Sequence, residues 1–97
     1  MLDAIAQQVW QKATRAGDAN EAAGFRKDPC GAWILKSAYG DRESRWGWEI
    51  DHITPSSQGG ADHIGNLRPL HWRNNAARQD KGLVCMVISD GTRNIAA

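Results

Sequence analysis

The stretch Trp46-Gly47-Trp48-Glu49-Ile50-Asp51-His52-Ile53-Thr54-Pro55 decides the fold, because it alternates before a proline stops it. Trp46, Trp48 and Ile50 share one face and Gly47, Glu49 and Asp51 the other, which is the period of a half-buried strand. Pro55 has no N–H for a ladder and pushes Thr54 toward extended geometry, so the strand ends by about Ile53. Ser56 to Asn66 reads as a polar, glycine-containing loop. Leu67 to Leu70 is a second short strand, and His71 to Gln79 a helix that Gly82 stops. The central order is strand, loop, strand, helix.

Working outward, Leu2, Ile5, Ala6, Val9, Trp10 and Ala13 recur at helical spacing and Gly17 closes the pattern. This predicts an amphipathic helix over residues 2–16, inside an N-terminal extension of residues 1–24. Asp28-Pro29-Cys30-Gly31 reads as a turn and Ala32 to Leu35 as a short buried strand. The polar run from Tyr39 to Ser44 lets that strand form a hairpin with the next one. Leu83 to Ile88 reads as a final buried strand before a loose tail. The chain is expected to be one α+β domain over residues 1–97, with short strands and a helix flanking a central unit at 46–81.

Composition narrows the classes. The chain has 97 residues, 41% of them hydrophobic, and five of its seven aromatics are Trp. Its longest strongly apolar run, Leu83 to Ile88, is far too short to span a bilayer, so no membrane partner is expected. Met1-Leu2-Asp3-Ala4-Ile5 has no basic region, which argues against a secretory leader. Cys30 and Cys85 lie far apart and form no C-x-x-C pair, so reduced thiols in a cytoplasmic protein are expected, with a single disulfide between them the alternative. The net charge is only +1. By position it is uneven: residues 46–65 sum to −3 and residues 66–81 to +3. Such a pairing suits a cation site beside a phosphate-binding surface, although ordinary charge scatter also produces it.

Two elements carry candidate chemistry. Asp51 and His52 put an oxygen donor for a hard cation next to a base that can work near neutral pH. On the helix, His71, Asn75 and Arg78 fall on one face with Asn74 beside them, leaving Trp72 and Ala76 for the core. Either feature alone is what a solvated surface would show.

Together they become recognisable. Glu49-Ile50-Asp51-His52-Ile53-Thr54-Pro55, then Gly59-Gly60-Ala61-Asp62, then Asn66-Leu67-Arg68-Pro69-Leu70, then Asn75 and Lys81, resembles the HNH endonuclease motif of the ββα-metal nucleases. Asn66 lies 14 residues and Asn75 lies 23 residues after His52, spacings that fit that motif. The resemblance implies a ββα-metal core and metal-dependent hydrolysis of DNA, most often double-stranded. It implies that Asp51 and Asn75 hold one divalent ion (Mg2+, or Mn2+ in its place), that His52 activates water, and that Asn66 orients the base. Arg78, Arg68 and Lys81 would then attract phosphates. His71, four residues before Asn75, is open to joining the metal.

The chemistry agrees with these roles. In-line attack on a phosphodiester needs a deprotonated water on one side and charge relief at the leaving oxygen on the other. Strand alternation sends Asp51 and His52 to opposite faces, so the reading predicts irregular backbone at 51–54. Many family members carry two C-x-x-C pairs for a structural zinc; this chain has His71 and Asn74 at one such pair and no upstream pair, so no structural zinc is expected. Tryptophans would fill the core instead. The rival reading is a non-catalytic nucleic-acid-binding module that kept the fold. So small a domain contacts few base pairs, which points to low specificity or to help from a second copy or a partner.

Overall fold

The computed structural model describes residues 2–97; Met1, the first residue of the expected N-terminal extension, lies outside them. Helices α1 (Ala4–Trp10) and α2 (Asp18–Ala22) open the chain. Three antiparallel ladders follow: β1 (Phe25–Lys27) with β2 (Trp33–Leu35), β3 (Trp48–His52) with β4 (Leu67–His71), and β5 (Val87–Asp90) with β6 (Arg93–Ala96). Helix α3 (Trp72–Arg78) leaves β4 without a loop. The β3–β4–α3 unit therefore has the strand, loop, strand, helix order within a small α+β fold.

The first helix is shorter than its apolar spacing predicts. Asp3 caps it, accepting from Ala6 N at 2.8 Å. It ends at Trp10 because the buried Arg26 takes the Trp10 and Gln11 carbonyls, at 3.2 and 3.3 Å, and Thr14 then pairs with Lys27. Gly17, expected to close a long helix, instead precedes α2 at φ +95°. Ala6, Val9, Trp10 and Ala13 are buried, whereas Ile5, assigned to the same stripe, is 46% exposed.

β2 does not form the expected hairpin with β3. The Asp28 carboxylate closes the 28–31 turn by accepting from Cys30 N and Ala32 N, both at 2.9 Å, and this folds β2 back onto β1. A single bond from Leu35 N to Trp46 O, 3.0 Å, reaches toward β3. The core joins α1 to the central ladder: Trp10 and Tyr39 rings lie 5.2 and 4.7 Å from Trp48, packed with Val9, Ile34 and Leu67. Trp33 is also buried, while Trp46 and Trp72 are half-buried.

Two further expectations are corrected at the C-terminal end. Leu83 and Val84 are not strand but exposed chain, and the loose tail is instead the β5–β6 hairpin around Gly91-Thr92, with Gly91 at φ +61°. Gly91 at the first position of a two-residue turn is a hairpin signal the hydrophobic pattern hides. Cys30 and Cys85 form a disulfide rather than two reduced thiols, joining the 28–31 turn to the segment after α3.

Candidate functional site

The β3–β4 register sets the geometry: Asp51 lies opposite Arg68, Glu49 opposite Leu70 and His52 opposite Leu67. Trp48 faces α1, so Glu49 and Asp51 face α3. That helix packs the opposite way from the expected one. His71, Asn74 and Arg78 are buried and Ala76 is exposed, because each polar side chain finds partners inside that an alanine could not use.

Asn74 accepts from Met86 N and Val87 N at 2.7 and 2.8 Å and donates to Asp28 Oδ2 and Val87 O at 3.1 and 3.0 Å. His71 accepts from Arg73 N through Nδ1 at 3.1 Å, capping α3, and its Nε2 meets Arg45 O at 2.9 Å. A carbonyl only accepts, so Nε2 carries the proton. Both nitrogens are occupied, and burial holds the imidazole below its ordinary pKa. His71 therefore does not serve as the extra metal ligand considered from the sequence.

Asp51 is 4% exposed and fully partnered. Oδ2 accepts from Arg68 Nε at 2.7 Å and Oδ1 from Arg78 Nη1 at 2.6 Å. Arg78 also donates to the His52 carbonyl, to Ile53 O at 3.3 Å and to Lys81 O from Nε and Nη2 at 2.9 and 2.5 Å. This corrects the expectation of a phosphate clamp: with 3% exposure, Arg78 stitches the end of β3 to the chain after α3. Its planar fork of donors matches that cluster of carbonyls, where a lysine would not. Arg68 remains half-buried, and Lys81 is exposed.

His52 closes β3, and the chain bends at Ile53-Thr54. The pleat persists through His52, so Asp51 turns in toward α3 while His52 meets the loop on the other side. His52 Nε2 lies 2.6 Å from Asp62 Oδ1. With the carboxylate as acceptor, the ring donates from Nε2, and in its neutral form Nδ1 is the nitrogen that can take a proton. Asn66 holds the loop between them: Nδ2 donates to Thr54 O and Ala61 O at 3.0 and 2.9 Å, and Oδ1 accepts from Thr54 N at 2.8 Å. The loop is tight enough that a Cβ on Gly60 would lie 1.7 Å from Thr54 O. Lys12 of the N-terminal segment donates to Ile64 O at 2.8 Å and anchors the turn that carries Asn66.

Asn75 donates to Glu49 Oε1 at 2.9 Å. Glu49 also takes the Arg42 fork at 2.6 and 2.8 Å, and that guanidinium holds its carboxyl below the usual range. Sequence reasoning missed Glu49 and Asp62 as site residues. Glu49 was findable, since it shares a strand face with Asp51; Asp62 lies in a loop with no periodicity to mark it.

Glu49, Asp51 and Asn75 offer oxygen donors of the kind a hard cation takes. Their charges are already answered, Asp51 by two guanidinium groups and Glu49 by a third, so a dication there would face three arginines at contact range. Among the described residues no group of three or more His, Cys, Asp or Glu is placed to hold a metal. In this arrangement the residues do not fit the cation assigned to Asp51 and Asn75.

Residues 39–81 match the family model of the HNH endonucleases. No curated protein and no solved structure matches the chain. Nucleases of that family generally work with a divalent metal. The matched segment contains the whole β3–loop–β4–α3 unit, together with His52, Asp62, Asn66 and Asn75. The family likeness thus rests on residues 39–81, which are similar to the HNH endonuclease domain.

Proposed function

We propose that this chain hydrolyses phosphodiester bonds of double-stranded DNA, with His52 as the general base. The observation that carries the reading is the His52–Asp62 pair at the half-exposed end of a strand, which occupies Nε2 and leaves Nδ1 without a hydrogen-bond partner among the described residues. In the step, Nδ1 takes a proton from water, the water oxygen bonds to phosphorus, the bond to the 3′-oxygen breaks, and that oxygen takes a proton from solvent as it leaves. Asp62 holds the ring by its Nε2–H and stabilises the imidazolium that forms, the role a carboxylate plays behind a histidine base. Asn66 keeps the loop bearing Asp62 in register with the strand bearing His52. Arg68 and Lys81 attract the backbone, and Asp51 acts by fixing Arg68 and Arg78 rather than by binding a cation.

The buried Asp51–arginine cluster favours a second reading, a DNA-binding module without catalysis. Supercoiled plasmid incubated with Mg2+ or Mn2+, with and without EDTA, separates the two. Conversion to open circle supports the nuclease, and the EDTA arm reads whether a cation is required. Plasmid that is retarded on a gel but stays intact supports the module.

A further inference from the structure

Outside the site, arginines of α3 and of the segment before β3 lie over indole rings. The Arg73 guanidinium carbon lies 5.0 Å and that of Arg42 5.9 Å from the Trp72 ring centroid, and Arg45 sits 5.7 Å from Trp46. The segment holding Arg42 and Arg45 is fastened to the helix, with Trp72 Nε1 donating to Ser44 O at 3.0 Å and Trp72 N to Gly47 O at 3.1 Å. Arg42 is committed to Glu49. Arg45 and Arg73 are exposed and, among the described residues, neither forms an ion pair with a carboxylate. They edge an open groove of about 800 Å³ over Ala76, Ala77 and Val87, whose one acidic lining residue is Glu43.

We propose that Arg45 and Arg73 contact the phosphate backbone of the duplex DNA that is cut, holding it at a distance from His52; this rests on the nuclease reading. Stacking on an indole fixes each guanidinium plane, so less side-chain freedom is lost when its planar fork meets a phosphate. The surface reaches the α3 side of β3, since Trp72 and Arg42 lead through Glu49 to Asn75. Backbone contacts carry no base information, so this surface binds without sequence preference. Glu43 opposes it.

The test is fluorescence anisotropy with a labelled duplex of about 20 base pairs, in a His52→Ala background that does not cut, across about 50 to 200 mM salt. Arg45→Ala/Arg73→Ala is expected to weaken binding about tenfold or more and to lower the slope of log K against log salt by about 2. Glu43→Gln is expected to tighten binding, a gain that misfolding cannot mimic. Unchanged affinity and slope in the double variant would overturn the surface, as would equally strong competition by polyglutamate. Plasmid nicking by the unmutated protein is read separately. Nicking with an unaffected double variant removes the surface alone, and a weakened double variant without nicking removes the nuclease alone.

Discussion

Arg78 donates from Nη1 to Asp51 Oδ1 at 2.6 Å, and the two side chains are only 4% and 5% exposed. A carboxylate expected to face a metal is thus the counter-ion of an arginine that ties strand, bend and post-helix segment together. Arg78→Ala leaves buried Asp51 with Arg68 alone and takes the donor from the His52, Ile53 and Lys81 carbonyls, so it should lower unfolding free energy by about 3 kcal/mol. Urea denaturation measures it, and a loss below about 1 kcal/mol would mean that Arg78 is not buried as described.

Millimolar Mg2+ should leave the urea midpoint of the free protein unchanged, because Asp51 already has its cations. A ligand binding only the native state at a hundred times its Kd would add about 2.7 kcal/mol. A rise of that size would show that the arginines yield to the metal.

The strand, loop, strand, helix order from Trp48 to Arg78 was legible because the loop and strand lengths that set it are written in the number of residues separating His52, Asn66 and Asn75. The facing of α3 was not. Its polar side points inward because Asp28, Asp51 and the Val87 backbone, all remote in sequence, offer partners there. No periodicity within residues 71–79 carries that information. β1 escaped for a similar reason: three residues held by the Asp28 turn have too little pattern to show.

Asn66→Ala removes three hydrogen bonds at once from the loop spanning Thr54 and Ala61. A stability loss of about 1–3 kcal/mol is expected, with a larger proportional loss of nicking, since His52 and Asp62 would lose their register. Full activity in a destabilised variant would show that the loop positions nothing.

The disulfide closes a separation of 55 residues. Chain-entropy reasoning assigns such a link about 4 kcal/mol, so unfolding with and without dithiothreitol should differ by that order. Matching midpoints would show that the crosslink adds no constraint.

His71 gives the folded state a pH signature. Burial, the largest influence, lowers its pKa, so the neutral ring is the one the fold accommodates. Its contribution is present above the ordinary histidine pKa of about 6.5 and is lost as pH falls through the depressed folded value. His71→Gln should flatten that part of the stability-versus-pH curve measured by urea midpoints; an unaltered curve would assign the dependence elsewhere.

Plasmid nicking by His52→Ala, compared with unmutated protein and Asp62→Ala, tests the central claim most directly. Asp62 is 90% exposed, so its loss should spare stability and slow nicking about tenfold by freeing the ring. Loss of the base itself should slow nicking by about 10²-fold or more at a matched urea midpoint. A His52→Ala protein that nicks as fast as the original would contradict the account.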